Sequence, residues 1–108
     1  VGLEDKADCT AAKLTLCEQQ KAAIAGAVAK NPQIILCDEP LGKLKQSDAA
    51  EVLNLLRETC RLTGKTVIIA TDNKALCAAA DRVITVSDGC ITANEVNPKP
   101  AKLEEIEW

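Results

Sequence analysis

The chain has 108 residues, room for one domain with a small core, and its 47% hydrophobic and 27% charged content is that of an ordinary soluble globular protein. A net charge of −3 gives no electrostatic reason to bind nucleic acid, and no apolar run approaches the roughly 20 residues that span a bilayer. With one Trp, no Phe and no Tyr, the core must be built from Ile, Leu, Val and Ala, which predicts modest stability.

Residues 1–13 read as a polar lead-in, with Leu3 and Ala7 hinting at a short helix. From Glu18 to Lys30 an Ala-rich stretch carries Ile24 and Val28 at i, i+4 spacing, which predicts a closely packed helix that Asn31-Pro32 ends. Gln33–Cys37 reads as a short buried strand. Ser47-Asp48 predicts the start of a second helix, with Asp48 and Glu51 spaced as a capping box. Its apolar face is Val52, Leu53, Leu55, Leu56 and Cys60, and Gly64 suits the left-handed position after its end. Thr66–Ala70 is a second apolar strand, Asn73–Ala80 a short helix, and Arg82–Ser87 a third strand. Asp88-Gly89 predicts a tight turn into Cys90–Ala93. Residues 94–108, with Pro98, Pro100 and several carboxylates, read as a polar tail.

Strands alternating with helices imply an α/β fold with crossover connections, a parallel core and an antiparallel hairpin at one side. The expected division is a domain over residues 1–93 and a tail over 94–108.

Six cysteines (Cys9, Cys17, Cys37, Cys60, Cys77, Cys90) form no C-x₂-C pair, and no His is present to complete a mixed zinc site. Reduced, structural thiols in a reducing cytosol are expected. Cys37, inside an apolar strand, should be among the least reactive. Cys17, opening a helix, should react faster because the helix dipole favours thiolate and solvent reaches it.

The chemistry-bearing residues cluster in a few blocks. Asp38-Glu39 ends the apolar run Ile34-Ile35-Leu36-Cys37. Upstream lies Leu14-Thr15-Leu16-Cys17-Glu18-Gln19-Gln20, downstream Pro40-Leu41-Gly42-Lys43-Leu44-Lys45, and Thr71-Asp72-Asn73 closes the second strand. In this order, and with Ala29-Lys30-Asn31-Pro32 and Ala80-Asp81-Arg82-Val83-Ile84, the chain resembles the C-terminal half of an ABC transporter ATP-binding subunit. The resemblance runs over nearly the whole chain and implies a partial P-loop-nucleotidase core.

The resemblance assigns Asp38 to Mg²⁺ through water and Glu39, as the catalytic carboxylate of the Walker B segment, to the attacking water. It places Thr15 and Glu18 in the signature segment that contacts nucleotide. Mg-ATP is the cofactor and a membrane permease the partner so implied. Several positions depart from the family pattern. Leu16 and Cys17 replace two glycines whose lack of a Cβ lets backbone approach phosphate, so Thr15 and Glu18 read better as a capping box. Lys45 replaces the D-loop Asp, Asp72 replaces the switch His, where a carboxylate repels phosphate, and Gly26 stands where Arg is common. No Gly-x₄-Gly-Lys-Ser/Thr occurs in these residues. The lookalike Gly64-Lys65-Thr66 has Thr59 where the first Gly should be, and it follows a helix instead of preceding one.

The expectation is therefore an ABC ATP-binding half-domain in the cytoplasm that holds no cofactor and hydrolyses no ATP alone, with Asp38 and Glu39 vestigial. A second copy or an N-terminal half is the expected partner, with no nucleic acid bound and no direct membrane insertion. The rival readings are a non-catalytic scaffold remnant and an engineered or truncated fold, for which the start at Val1 speaks, with a disulfide or zinc module a distant fourth. In relatives the phosphate-loop strand lies between those corresponding to Thr66–Ala70 and Arg82–Ser87. Here those two strands are expected to pair directly, or a second chain to fill the gap.

Overall fold

The computed structural model describes residues 1–106, which divide into two compact units, one from Val1 to Thr71 and one beginning at Asp72. The division falls after the second strand.

The first unit opens with single 3₁₀ turns at Glu4–Lys6 and Ala11–Lys13. Helix α1 then runs Leu16–Ala29. Its start is fixed as the sequence predicts: the Glu18 backbone N–H donates to Thr15 Oγ1 at 3.2 Å, and Glu18 Oε2 accepts from the Thr15 N–H at 2.9 Å. This capping box satisfies two of the donors that every helix start leaves orphaned. The Gln19 amide donates back to the carbonyls of Ala11 and Leu14, holding the lead-in against the helix. Asn31, in a left-handed conformation at φ 52°, turns the chain out of α1 and into strand β1, Ile34–Asp38.

Helix α2, Gln46–Thr63, differs at its start from the sequence expectation. Lys45 is its N-cap and no side chain caps it, so Asp48 and Glu51 form no capping box. Glu51 turns instead towards α1, where it accepts from Lys21 and from Cys17 Sγ. The core lies on the apolar face of α2: Ala49, Val52, Leu53 and Leu56 are buried there, with Ile24 and Cys17 of α1 and Ile35 of β1. Leu55 and Cys60 are half-buried. Gly64 ends α2 at φ 69°, its N–H returning to the Cys60 carbonyl, the left-handed cap that Gly adopts without a Cβ penalty.

Strand β2, Thr66–Ala70, pairs in parallel with β1 in the register Ile34↔Thr66 to Asp38↔Ala70. At the entry to both strands Lys65 Nζ donates to Asn31 Oδ1 and to the Pro32 carbonyl, at 2.7 and 2.6 Å. The Lys of the phosphate-loop lookalike is thus occupied in joining two turns.

The second unit begins with a 3₁₀ segment, Lys74–Ala79, capped by Asn73 Oδ1 on the Ala75 N–H. Strands β3, Arg82–Ser87, and β4, Cys90–Val96, form an antiparallel hairpin. Asp88 and Gly89 both have positive φ, as the predicted two-residue turn requires. β4 runs to Val96, and Leu103 and Ile106 are buried, so the stretch expected as a tail from residue 94 holds strand and packed residues.

Among the described residues β1 pairs with β2 in the first unit and β3 with β4 in the second, each as a two-stranded sheet.

Candidate functional site

The C-terminal end of the β1–β2 pair carries the chemistry of the first unit. Asp38 is the last residue of β1 and is exposed, and Glu39 follows it, also exposed. The chain then turns sharply, because Glu39 adopts φ 45°, a left-handed conformation uncommon for a residue with a Cβ. Hydrogen bonds hold the turn: the Glu39 N–H donates to the Ala70 carbonyl at 2.8 Å, and the Gly42 N–H to the Glu39 carbonyl at 3.3 Å. Pro40 and Leu41 are buried directly after it. Thr71 Oγ1 donates to Glu39 Oε2 at 3.0 Å across the end of the ladder.

Side chains alternate along a strand, so Ile34, Leu36 and Asp38 share one face of β1, and the register sets Ile68 of β2 opposite Leu36 on that face. The face is open. Ile34 is 54% exposed, Leu36 76% and Ile68 51%, whereas Ile35 on the other face is 4% exposed. The strand is therefore covered on one side only, which corrects the expectation of a buried strand over Gln33–Cys37. Cys37, on the covered side, is half-buried, and burial pushes its thiol above the ordinary range.

The start of α1 is a second cluster. Thr15 and Glu18 are spent on the capping box, and Leu16 is largely exposed. Cys17 is the reverse of expectation: it is 7% exposed, beneath α2, with Sγ 3.9 Å from the Asp48 carbonyl and 3.8 Å from Glu51 Oε2. Burial first, then the Glu51 charge, raise its pKa, outweighing the helix-terminus effect that the sequence suggested. Cys17, Asp48 and Glu51 bring one ligand-type atom each to within 4.8 Å of one another. Lys21 already neutralises this group through its ion pair with Glu51.

Asp72 opens the second unit and is exposed, and Lys45, at the start of α2, is exposed too. Sequence reasoning gave roles to Asp38, Glu39, Thr15 and Glu18 and named Thr71 without giving it one. The signal available was the register: one step beyond Asp38↔Ala70 brings Glu39 opposite Thr71. A shallow groove of about 330 Å³ lies between the lead-in and α1, lined by Leu3, Ala7, Leu14, Ala22 and Ala25 among others, and by none of the carboxylates above. All six cysteines carry free thiols. Among the described residues no helix is long and apolar enough to cross a membrane.

No protein-family model matches the chain. Among curated proteins it is 42% identical over 98 residues to the lipoprotein-releasing system ATP-binding protein LolD 1 of Caulobacter vibrioides, covering 91% of this chain and 42% of that protein. It is 39% identical over 95 residues to the macrolide export ATP-binding/permease protein MacB of Chlorobium luteolum, covering 88% of this chain and 14% of that one. The chain thus spans less than half the length of these relatives. Among solved structures it resembles a dimeric post-hydrolysis state of an ATP-binding cassette bound to ADP and Pi, with a TM-score of 0.71 and 32% identity over 86% of this chain and 40% of that one. A dimeric bacterial ABC transporter cassette matches equally, at TM-score 0.71 and 33% identity over the same shares.

Proposed function

This chain is homologous to the C-terminal half of ABC transporter ATP-binding proteins, and from that premise we propose that it carries the carboxylate end of an ATP-binding site whose phosphate cradle lies outside these 108 residues. The observation that carries the reading is the exposed pair Asp38-Glu39 at the C-terminal end of parallel strands, where open α/β sheets bind their ligands. Asp38 shares a face with the uncovered Ile34 and Leu36, so whatever segment covers that face meets its carboxylate. Parallel strands are ordinarily buried on both sides. An N-terminal half or a second copy is the partner that this face calls for.

Two adjacent carboxylates suit a hard, oxygen-preferring cation such as Mg²⁺. Asp38 would hold it through water, and Glu39 would orient a water towards phosphate. Bound there, the ion would offset the negative charge of the phosphates. The rest of the chain adds little to nucleotide binding. Thr15 and Glu18 are turned inward to the cap, the Leu16 side chain stands where backbone would need to approach phosphate, and Asp72 brings a like charge. The family setting is a subunit on the cytoplasmic side of a permease.

Titration calorimetry of the chain with Mg-ATP tests the reading. The expected result is no saturable binding at micromolar concentration and no phosphate release. Saturable binding that Asp38→Asn abolishes would overturn it, since the carboxylate end would then suffice without a cradle. The open face of Ile34, Leu36 and Ile68 favours a second reading, a docking remnant without nucleotide chemistry. That reading gains if a complementing N-terminal half restores packing but not ATP binding.

A further inference from the structure

We propose that Thr71 is a positioning residue that aims the Glu39 carboxylate, through the hydrogen bond its hydroxyl donates across the end of the β1–β2 ladder. The inference deepens the reading of Glu39 given above and rests on it for its use, although the contact itself does not depend on nucleotide. Glu39 Oε2 accepts from Thr71 Oγ1 at 3.0 Å, a bond strengthened by the carboxylate charge. The backbone at Glu39 is already fixed on both sides, by its N–H on the Ala70 carbonyl and by its own carbonyl accepting from Gly42. Its left-handed φ of 45° directs the side chain out of the strand's alternation, into solvent. An exposed Glu side chain has several torsions free, and a carboxylate that must orient a water cannot afford that freedom.

Thr71 suits the task for three reasons. It follows β2 directly, and the parallel register continued by one step sets it opposite Glu39. It is β-branched, so few χ1 rotamers compete and its hydroxyl is held before the carboxylate arrives. It is half-buried, while Glu39 is exposed, so the fixed partner of the pair is the threonine.

The experiment is solution NMR of the chain without nucleotide, reading three-bond couplings that report χ1 of Thr71 and χ1 and χ2 of Glu39, with amide exchange at Ile35 and Ile68, whose N–H groups face the partner strand, as a check on the sheet. In the unaltered chain both side chains should occupy single rotamers. Thr71→Val, which keeps the shape and removes the donor, should leave the Glu39 couplings averaged while the Ile35 and Ile68 amides exchange within about twofold of their original rates. Thr71→Ser, which keeps the donor and loses the β-branch, should restore the Glu39 rotamer preference in part, and a purely structural role for the methyl group would restore none of it. Averaged Glu39 couplings in the unaltered chain overturn the proposal, even where Thr71→Val does not fold. So do Glu39 couplings that Thr71→Val leaves unchanged. The Mg-ATP titration can fail independently of either result.

Discussion

Lys21 of α1 donates to the Glu51 carboxylate of α2, and the same carboxylate accepts from Cys17 Sγ, so one acidic side chain joins the two helices at two points. The Lys21 hydrogen bond is the main reason that the Glu51 carboxyl lies below the ordinary range, and the Glu51 bond is the main reason that the Lys21 ammonium lies above its own. Lys21 is mostly covered and Glu51 half exposed, so solvent screens the pair and its contribution is about 0.5–1 kcal/mol.

The sign of the pH dependence follows. A carboxyl held low in the folded state stabilises above its unfolded pKa and loses that contribution as pH falls through its lowered value. An ammonium held high stabilises below its unfolded pKa and loses its contribution as pH rises through the raised value. Urea midpoints of the unaltered chain and Glu51→Gln should therefore differ at neutral pH and converge in strong acid. An equal difference at both would show that the charge is not the cause.

Core substitutions should separate sharply from surface ones. Val52 is 0% and Leu56 1% exposed on the inner face of α2, while Leu62 on the same helix is 83% exposed. Leu56→Ala removes packed methyl groups and should cost about 2–5 kcal/mol. Leu62→Ala should change stability by no more than about 0.5 kcal/mol. With no Phe or Tyr to add contact area, the first loss should abolish a cooperative denaturation transition read by helical circular dichroism. A shallow, equal response to both would contradict the assignment of the core.

What the sequence discloses is the chemistry that needs only near neighbours. Thr15 with Glu18, Gly64 after α2, and Asp88-Gly89 between β3 and β4 each satisfy a local backbone need, and each stands where the residue types predict. Glu51 shows the limit. Its spacing from Asp48 fits a capping box, but Lys21 lies thirty residues upstream and a charged partner outweighs a backbone donor. The open face of β1 was equally illegible, because Ile34-Ile35-Leu36 reads as buried on both sides whether or not a segment is there to cover it. Asp38 and Glu39 are named from type and order alone, whereas the Thr71 contact with Glu39 needs the register.

Thiol reactivity provides a test of that difference. Cys9, Cys77 and Cys90 are exposed, Cys37 and Cys60 half-buried, and Cys17 buried with its pKa raised by burial and by Glu51. Timed alkylation of the native chain with site assignment by mass spectrometry should label the first three fastest. Cys17 should be slowest, the opposite of what its place at a helix start suggests. Fast labelling of Cys17 would mean that α2 does not cover α1.

Two glycines of opposite character complete the tests. Gly26 lies exposed within α1 and a Cβ there meets nothing within 4 Å, so Gly26→Ala should stabilise by about 0.5–1 kcal/mol through lower unfolded-state entropy and better helix propensity. Gly64 also has open space around it, but its φ of 69° is left-handed. Gly64→Ala should therefore destabilise by about 1 kcal/mol despite the absence of any clash. Chemical denaturation of the two variants decides between space and backbone conformation as the governing factor. If both substitutions shift the midpoint in the same direction, Gly64 does not hold the left-handed cap that ends α2 and turns the chain towards Lys65.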